Sequence, residues 1–229
     1  MLPLPLSHRA IGFRVALSAG LLLAVSACAT LDGLMGAARV PVLDGAVTVA
    51  APSGYCVGPG TVEESQDTAV VLIGRCLATG LVAPAVITVS VGAAGSSGVL
   101  VAGAEALADF FATSEGRALL ARSGRPQDVS VIETRAQGDV FLMHLQDIEA
   151  GDYWRAILGL NGRLITVSAQ GTGRVVLAST ASLKAVTHTL QAMQAANPAV
   201  VAAVVPPILP EGATQRPPGR PAAGWSGSR

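Results

Sequence analysis

Tyr153-Trp154-Arg155-Ala156-Ile157-Leu158-Gly159-Leu160-Asn161-Gly162-Arg163-Leu164-Ile165-Thr166-Val167-Ser168 is the stretch that decides the fold. Runs of aliphatic, aromatic and β-branched residues flank Asn161-Gly162. Asn-Gly is the dipeptide that best accepts the two positive φ values of a tight hairpin turn. Strands are therefore expected over Tyr153–Leu158 and Leu164–Ser168. Upstream, Val129–Arg135 and Asp139–Asp147 make a second pair around Ala136-Gln137-Gly138. Downstream, Ser179-Thr180 can cap a helix running to about Ala196, with Leu183, Val186, Leu190 and Met193 at helical spacing and Asn197-Pro198 as its stop.

The preceding hundred residues have a different rhythm. Ala46-Val47-Thr48-Val49-Ala50 reads as a first strand, broken by Pro52-Ser53-Gly54 before the extended Tyr55-Cys56-Val57. Glu63–Thr68 reads as a polar turn. Ala69-Val70-Val71-Leu72-Ile73-Gly74 is a short, continuously apolar run, the pattern of a central strand buried on both faces. Ala85–Val91 alternates with period two and gives a third strand, and Gly92–Gly98 reads as a flexible loop. Ala104–Phe111 is helical by residue type, with Leu107, Phe110 and Phe111 on one face; a second short helix runs from Ser114 through Leu119, Leu120 and Arg122. The order is three strands, one or two helices, four antiparallel strands and a last helix. That is an α+β domain with helices packed on an antiparallel sheet, an α/β/α three-layer sandwich being one form of it.

The two ends read differently from the domain. Arg9 and Arg14 lead into an apolar stretch from about Val15 to Ala24, followed by Val25-Ser26-Ala27-Cys28. The stretch is short of the roughly 20 residues that a bilayer span needs, and its basic flank and small residues are those of an export signal. Val25-Ser26-Ala27-Cys28 resembles the lipobox of bacterial lipoproteins. That resemblance implies that Cys28 is acylated and becomes the new N-terminus, and that residues 1–27 are removed. Two or three acyl chains, at roughly 0.8 kcal/mol per buried CH2, would give stable membrane attachment. Ala29, where an aspartate is the usual inner-membrane retention signal, implies the outer membrane. Ala27-Cys28-Ala29 also has the small-x-small form of an ordinary signal-peptidase site, which would instead release a soluble periplasmic protein. Residues 28–44, small and glycine-rich, are expected to be a tether; residues 45–197 are the single domain. Residues 198–229 hold seven of the 14 prolines and read as a disordered or polyproline tail.

Composition narrows the function classes. Hydrophobic residues make up 51% and aromatics 3%, so the core rests on Val, Leu, Ile and Ala. Formal charge is zero, and the signal takes two arginines with it, so no basic excess is left to hold nucleic acid. With Cys28 in the lipobox, Cys56 and Cys76 remain. In an exported domain an isolated pair is most simply a disulfide, contributing roughly 3 kcal/mol on the chain-entropy model. A metal site or redox pair finds no support, because no histidine lies near either cysteine and the spacing is far from C-x-x-C.

Candidate chemistry is sparse. His144 falls on the same strand face as Leu142 and Gln146, and a half-exposed strand histidine is the plain reading. His188 lies off the apolar face of the last helix. Asp147, Glu149 and Asp152 gather near a turn without the oxygen-ligand spacing of a calcium loop and read as solvated charges. Glu105 and Asp109 are surface residues at i and i+4. Gly92–Gly98 lacks the P-loop ending and the G-x-G-x-x-G spacing, and with no G-x-S-x-G present Ser96 and Ser97 are not elbow nucleophiles. Trp154 is a core plug or a contact residue. No cofactor is implied.

The lipobox, tether and cysteine pair together resemble small lipoproteins of Gram-negative bacteria. The element order is also loosely similar to Mog1/PsbP-like domains, which implies a three-layer fold and no function. The expectation is a non-enzymatic binding or scaffolding module held to the membrane through Cys28, with an envelope protein or small ligand as partner. The competing expectation is a lipid-anchored hydrolase whose site has no linear signature. Polar groups converging in a cleft at His144 or Asp147 would favour the enzyme, and an exposed apolar groove would favour binding.

Overall fold

The computed structural model describes residues 36–76, 82–172 and 175–198. Cys28 and its lipobox, the first part of the expected tether and nearly all of the proline-rich tail lie outside the described residues.

A two-stranded hairpin comes first, with β1 (Arg39–Val42) antiparallel to β2 (Val47–Ala50). A seven-stranded, wholly antiparallel sheet follows: β3 (Tyr55–Ser65), β4 (Thr68–Arg75), β5 (Ala85–Ala94), β6 (Val129–Gln137), β7 (Val140–Asp147), β8 (Gly151–Leu160) and β9 (Arg163–Gly171). Their spatial order is β3-β4-β5-β9-β8-β7-β6. Between β5 and β6 lie a 3-10 helix (Ser96–Ala102), α1 (Gly103–Ala112) and α2 (Ser114–Leu120); after β9 comes α3 (Ser179–Ala196). The expected α+β architecture is present.

The four strands after the helices form as the period-two pattern expects. Asn161 and Gly162 both take positive φ (51° and 76°) and turn β8 into β9. Alternation sends Trp154, Ala156 and Leu158 to one face and Tyr153 and Ile157 to the other, and both sets are buried. On the first face α3 lays down Val186, Leu190 and Met193 beside the hairpin's Val42, Val47 and Val49. On the second face α1 and α2 bring Phe111 and Leu120 to Phe141, Met143, Leu145 and Tyr153.

Helix α3 is also tied to backbone. The Ser182 hydroxyl accepts from Trp154 N–H (2.8 Å) and donates to Ala169 C=O (2.7 Å), replacing a rung where β8 and β9 face each other. At the other end, Asn197 Oδ1 accepts from Thr48 N–H and its Nδ2 donates to Thr48 C=O, both at 2.8 Å, so the side-chain amide serves as strand partner to β2. Met193 Sδ accepts from Ala50 N–H.

Several expectations are corrected. The stretch 36–44, expected as the end of a tether, is folded: Ala37 exchanges two backbone hydrogen bonds with Val57, and Val42 is buried. Pro41 hides this strand from a sequence reading, though proline is compatible with an edge strand. Strand β3 takes the first half of the expected polar turn, Glu63–Ser65, its register interrupted between Val57 and Val62 around Gly58-Pro59-Gly60. Strand β4 is buried on one face only. Ala69, Val71 and Ile73 point into the core, whereas Val70 and Leu72 remain 37% and 41% exposed, because neither α1 nor α2 reaches that half of the sheet. The expected glycine-rich loop is instead the end of β5 and the 3-10 helix. Ser179 is the first residue of α3 and caps nothing.

Cys56 and Cys76 are joined in a disulfide, clasping the start of β3 to the end of β4. A polar clasp lies at the other end of this hairpin. Arg163 is buried and donates to the Asp67 and Gly92 carbonyls and to Asp67 Oδ1 (2.6 Å), while Asp67 Oδ2 accepts from Ala94 N–H. The Ala94 amide first, and the Arg163 guanidinium after it, hold the Asp67 carboxyl below its ordinary value. Ser123 and then Arg125 do the same for Asp128. A carboxyl whose pKa is lowered by folding stabilises the fold above the unfolded value of about 3.9, and that contribution is lost as pH falls through the folded value. The urea midpoint is therefore expected to hold from neutral pH to about pH 4 and fall below it. Asp67→Asn should lower the neutral midpoint and flatten the acid fall; an unchanged profile in Asp67→Asn would contradict this assignment.

Candidate functional site

Two places combine exposure with organised side chains. At the first, the β7–β8 register sets His144 opposite Trp154, and their rings stack with centroids 4.8 Å apart and planes 5° from parallel. Trp154 is buried, and the Arg135 guanidinium carbon lies 4.9 Å from its ring centroid. At the start of α3, Ser179 Oγ accepts from Trp154 Nε1 and lies 3.0 Å from His144 Nε2. Asp152 Oδ1 lies 2.6 Å from the same Nε2.

A serine, a histidine and a carboxylate thus meet, but not as a proton relay. A relay uses both ring nitrogens, one facing the nucleophile and the other the carboxylate. Here both partners share Nε2. With a carboxylate accepting from it, Nε2 carries the hydrogen, and Ser179 can only accept there. His144 is not placed to take the serine proton. The cluster instead fastens the β7–β8 hairpin to α3, and the histidine ring stays only 15% exposed.

Asp147 is a correction. Expected as a solvated turn charge, it is buried: Oδ1 accepts from the Glu149 and Ala150 amides (2.8 Å each) and Oδ2 from the Arg122 amide (3.1 Å). It organises the β7–β8 turn and pins the end of α2 to it. Glu149 is exposed and Asp152 is engaged by His144, so the three carboxylates do not converge. Among the described residues no three His, Cys, Asp or Glu side chains gather to hold a metal. Glu105, Asp109 and His188 are exposed as expected, and Ser96 accepts from the Leu164 amide.

The second place is a groove of about 560 Å³ between α1–α2 and the β8–β9 surface, which no local motif announces. Its walls follow from the corner between the two helices. Thr113 Oγ1 donates to Phe110 C=O (2.7 Å) and accepts from Gly116 N–H (3.0 Å), ending α1 and capping α2 in one residue. A Cβ on Gly116 would sit 2.1 Å from Phe110 O, so only glycine lets α2 cross so close. The crossing brings Leu119 and Leu120 alongside Phe110 and Phe111. Ala102, at the end of the 3-10 helix, and Ala106 of α1 keep this wall low, and Ile157, Leu164, Thr166 and Arg155 form the floor. At the rim Leu119 is 69% and Val99 54% exposed. The size falls within the roughly 300–1,000 Å³ of small-molecule sites, and the lining is apolar with few polar groups, as such sites are.

No protein-family model and no curated protein matches the sequence. Two solved structures are similar to it. The Ran-binding protein Mog1p of Saccharomyces cerevisiae is 16% identical, the match covering 71% of this chain and 94% of that one with a TM-score of 0.38. A variant of protein Mog1 is 16% identical over 69% of this chain and 93% of that one, with a TM-score of 0.37. Both are Mog1 proteins, one of the two namesakes of the domain type whose element order the sequence loosely resembles. The likeness is a loose one.

Replacing Ser179 tests the reading of the polar cluster. Ser179→Ala leaves the Trp154 indole N–H without its acceptor and is expected to lower unfolding free energy by about 1 kcal/mol, measured by urea titration. Hydrolysis of a p-nitrophenyl ester by wild type that is abolished in Ser179→Ala would reinstate the serine as a nucleophile.

Proposed function

We propose that this chain is an envelope lipoprotein whose domain is a non-enzymatic binding module, with the groove between α1–α2 and β8–β9 as its binding surface. The observation that carries the proposal is the half-covered second face of the sheet. α3 and the β1–β2 hairpin complete the first face, whereas on the second the helices stop short and leave an apolar trough with Leu119 and Val99 at its rim. Single exposed apolar residues are ordinary on any surface; apolar residues gathered along a concave trough mark a place where something docks. The polar cluster at His144 offers no competing chemistry, because its groups are arranged to pack.

The anchoring part of the proposal rests on Val25-Ser26-Ala27-Cys28 and the basic, apolar stretch before it. Acylation of Cys28 would hold the domain at the envelope, with Ala29 favouring the outer membrane. Cys28→Ala is expected to move the protein from the membrane pellet to the soluble fraction in the producing cell. Continued pelleting of that variant would overturn the lipoprotein reading.

The groove is tested with a neutral apolar dye, N-phenyl-1-naphthylamine. Its fluorescence is expected to rise on adding the folded protein, and Leu107→Asp, which puts a charge on the α1 wall, should weaken binding about tenfold or more. Dye that fails to bind the native protein, or binds Leu107→Asp equally well, would overturn the groove as binding surface.

A further inference from the structure

Arg155 gives the groove a chemical preference. Among the described residues, its Nε is the one buried side-chain nitrogen or oxygen without a hydrogen-bond partner. Its guanidinium carbon stands 5.7 Å from the Tyr153 ring centroid, and among the described residues no carboxylate forms an ion pair with it. Arg155 itself lines the groove, and a carboxylate is the acceptor whose planar oxygens match the guanidinium fork. No acidic side chain lines the groove. The nearby buried carboxylate, Asp147, is already committed to three backbone amides.

The register of the floor shows where the cation lies. Leu164 faces Gly159, Thr166 faces Ile157, and Ser168 faces Arg155. Ser97 and Leu100 of the 3-10 helix pack over Gly159, so Arg155 occupies the opposite end. The span from Leu164 to the Arg155 level is four residues along a strand, about 13 Å. Ala102, Ala106 and Phe110 line the opposing wall four residues apart, a ridge of about 12 Å. The trough is therefore longer than a compact ligand needs.

We infer that the groove binds an elongated monocarboxylate, with its apolar chain along α1 and its carboxylate on the Arg155 guanidinium. This rests on the groove being the binding surface. An apolar body without charge would satisfy the walls and leave Arg155 unpaired, and a cationic amphiphile would be repelled from that end.

The test is displacement of N-phenyl-1-naphthylamine from the purified full chain by dodecanoate, dodecanol and dodecyltrimethylammonium, each below its aggregation concentration. Dodecanoate is expected to displace the dye at about tenfold lower concentration than dodecanol, as one charge-assisted contact allows, with the cation weakest. Arg155→Met, which keeps the apolar stem, should bring dodecanoate to the dodecanol value. Arg155→Lys should retain a preference for dodecanoate and serves where the methionine variant does not fold. Equal displacement by dodecanoate and dodecanol, or a preference that survives in Arg155→Met, overturns the inference while dye binding leaves the groove itself standing. Dye that never binds the native protein removes both.

Discussion

The Ser182 hydroxyl, set between Trp154 N–H and Ala169 C=O, is the contact on which the arrangement of layers depends. Strands β8 and β9 are held by hairpin geometry, but a helix packed on a sheet through Val, Leu and Met alone could slide along it at little cost. One oxygen that completes a backbone rung fixes the height of α3 on the sheet. Removing it would leave a donor and an acceptor unpaired in the core, each unfavourable by about 1–3 kcal/mol. Asn197, bonded to both backbone groups of Thr48, then fixes the far end of the helix and holds the β1–β2 hairpin in place.

The two faces of the sheet differ because of this. With α3 and the hairpin locked on the first face, the apolar residues there are covered from β4 to β8. The second face receives two short α-helices, ten and seven residues long, over β6–β8, and the 3-10 helix against Gly159. The floor strand β9 therefore carries Leu164 and Thr166 at the boundary between covered and open sheet. The groove is that boundary, deepened by two alanines and closed at one end by the 3-10 helix.

Much of the scaffold was legible in the sequence. Period-two alternation and Asn161-Gly162 announce β8 and β9, and Leu183, Val186, Leu190 and Met193 announce α3, because these signals are local. Strand β4 shows where locality fails: Val70 and Leu72 are as apolar as Val71 and Ile73, so the sequence indicates two apolar faces without saying that one lacks a cover. Asp147 fails for a related reason. Its burial depends on the Arg122 amide arriving from 25 residues upstream, and no feature of the turn itself signals that. The groove was not legible at all, since it is made by Gly116 allowing a close helix crossing and by the reach of α1 across the sheet.

The pairing of Ala37 with Val57 has a mechanical consequence. A pull on the chain ahead of Gly36 meets the two Ala37–Val57 hydrogen bonds before it reaches the core. Val57 is adjacent to Cys56, whose covalent link to Cys76 spans β3 and β4. Tension passed along this route would be shared between two strands of the sheet rather than peeling β3 from its edge. The clasp stands where a domain held by its N-terminal end would be loaded first.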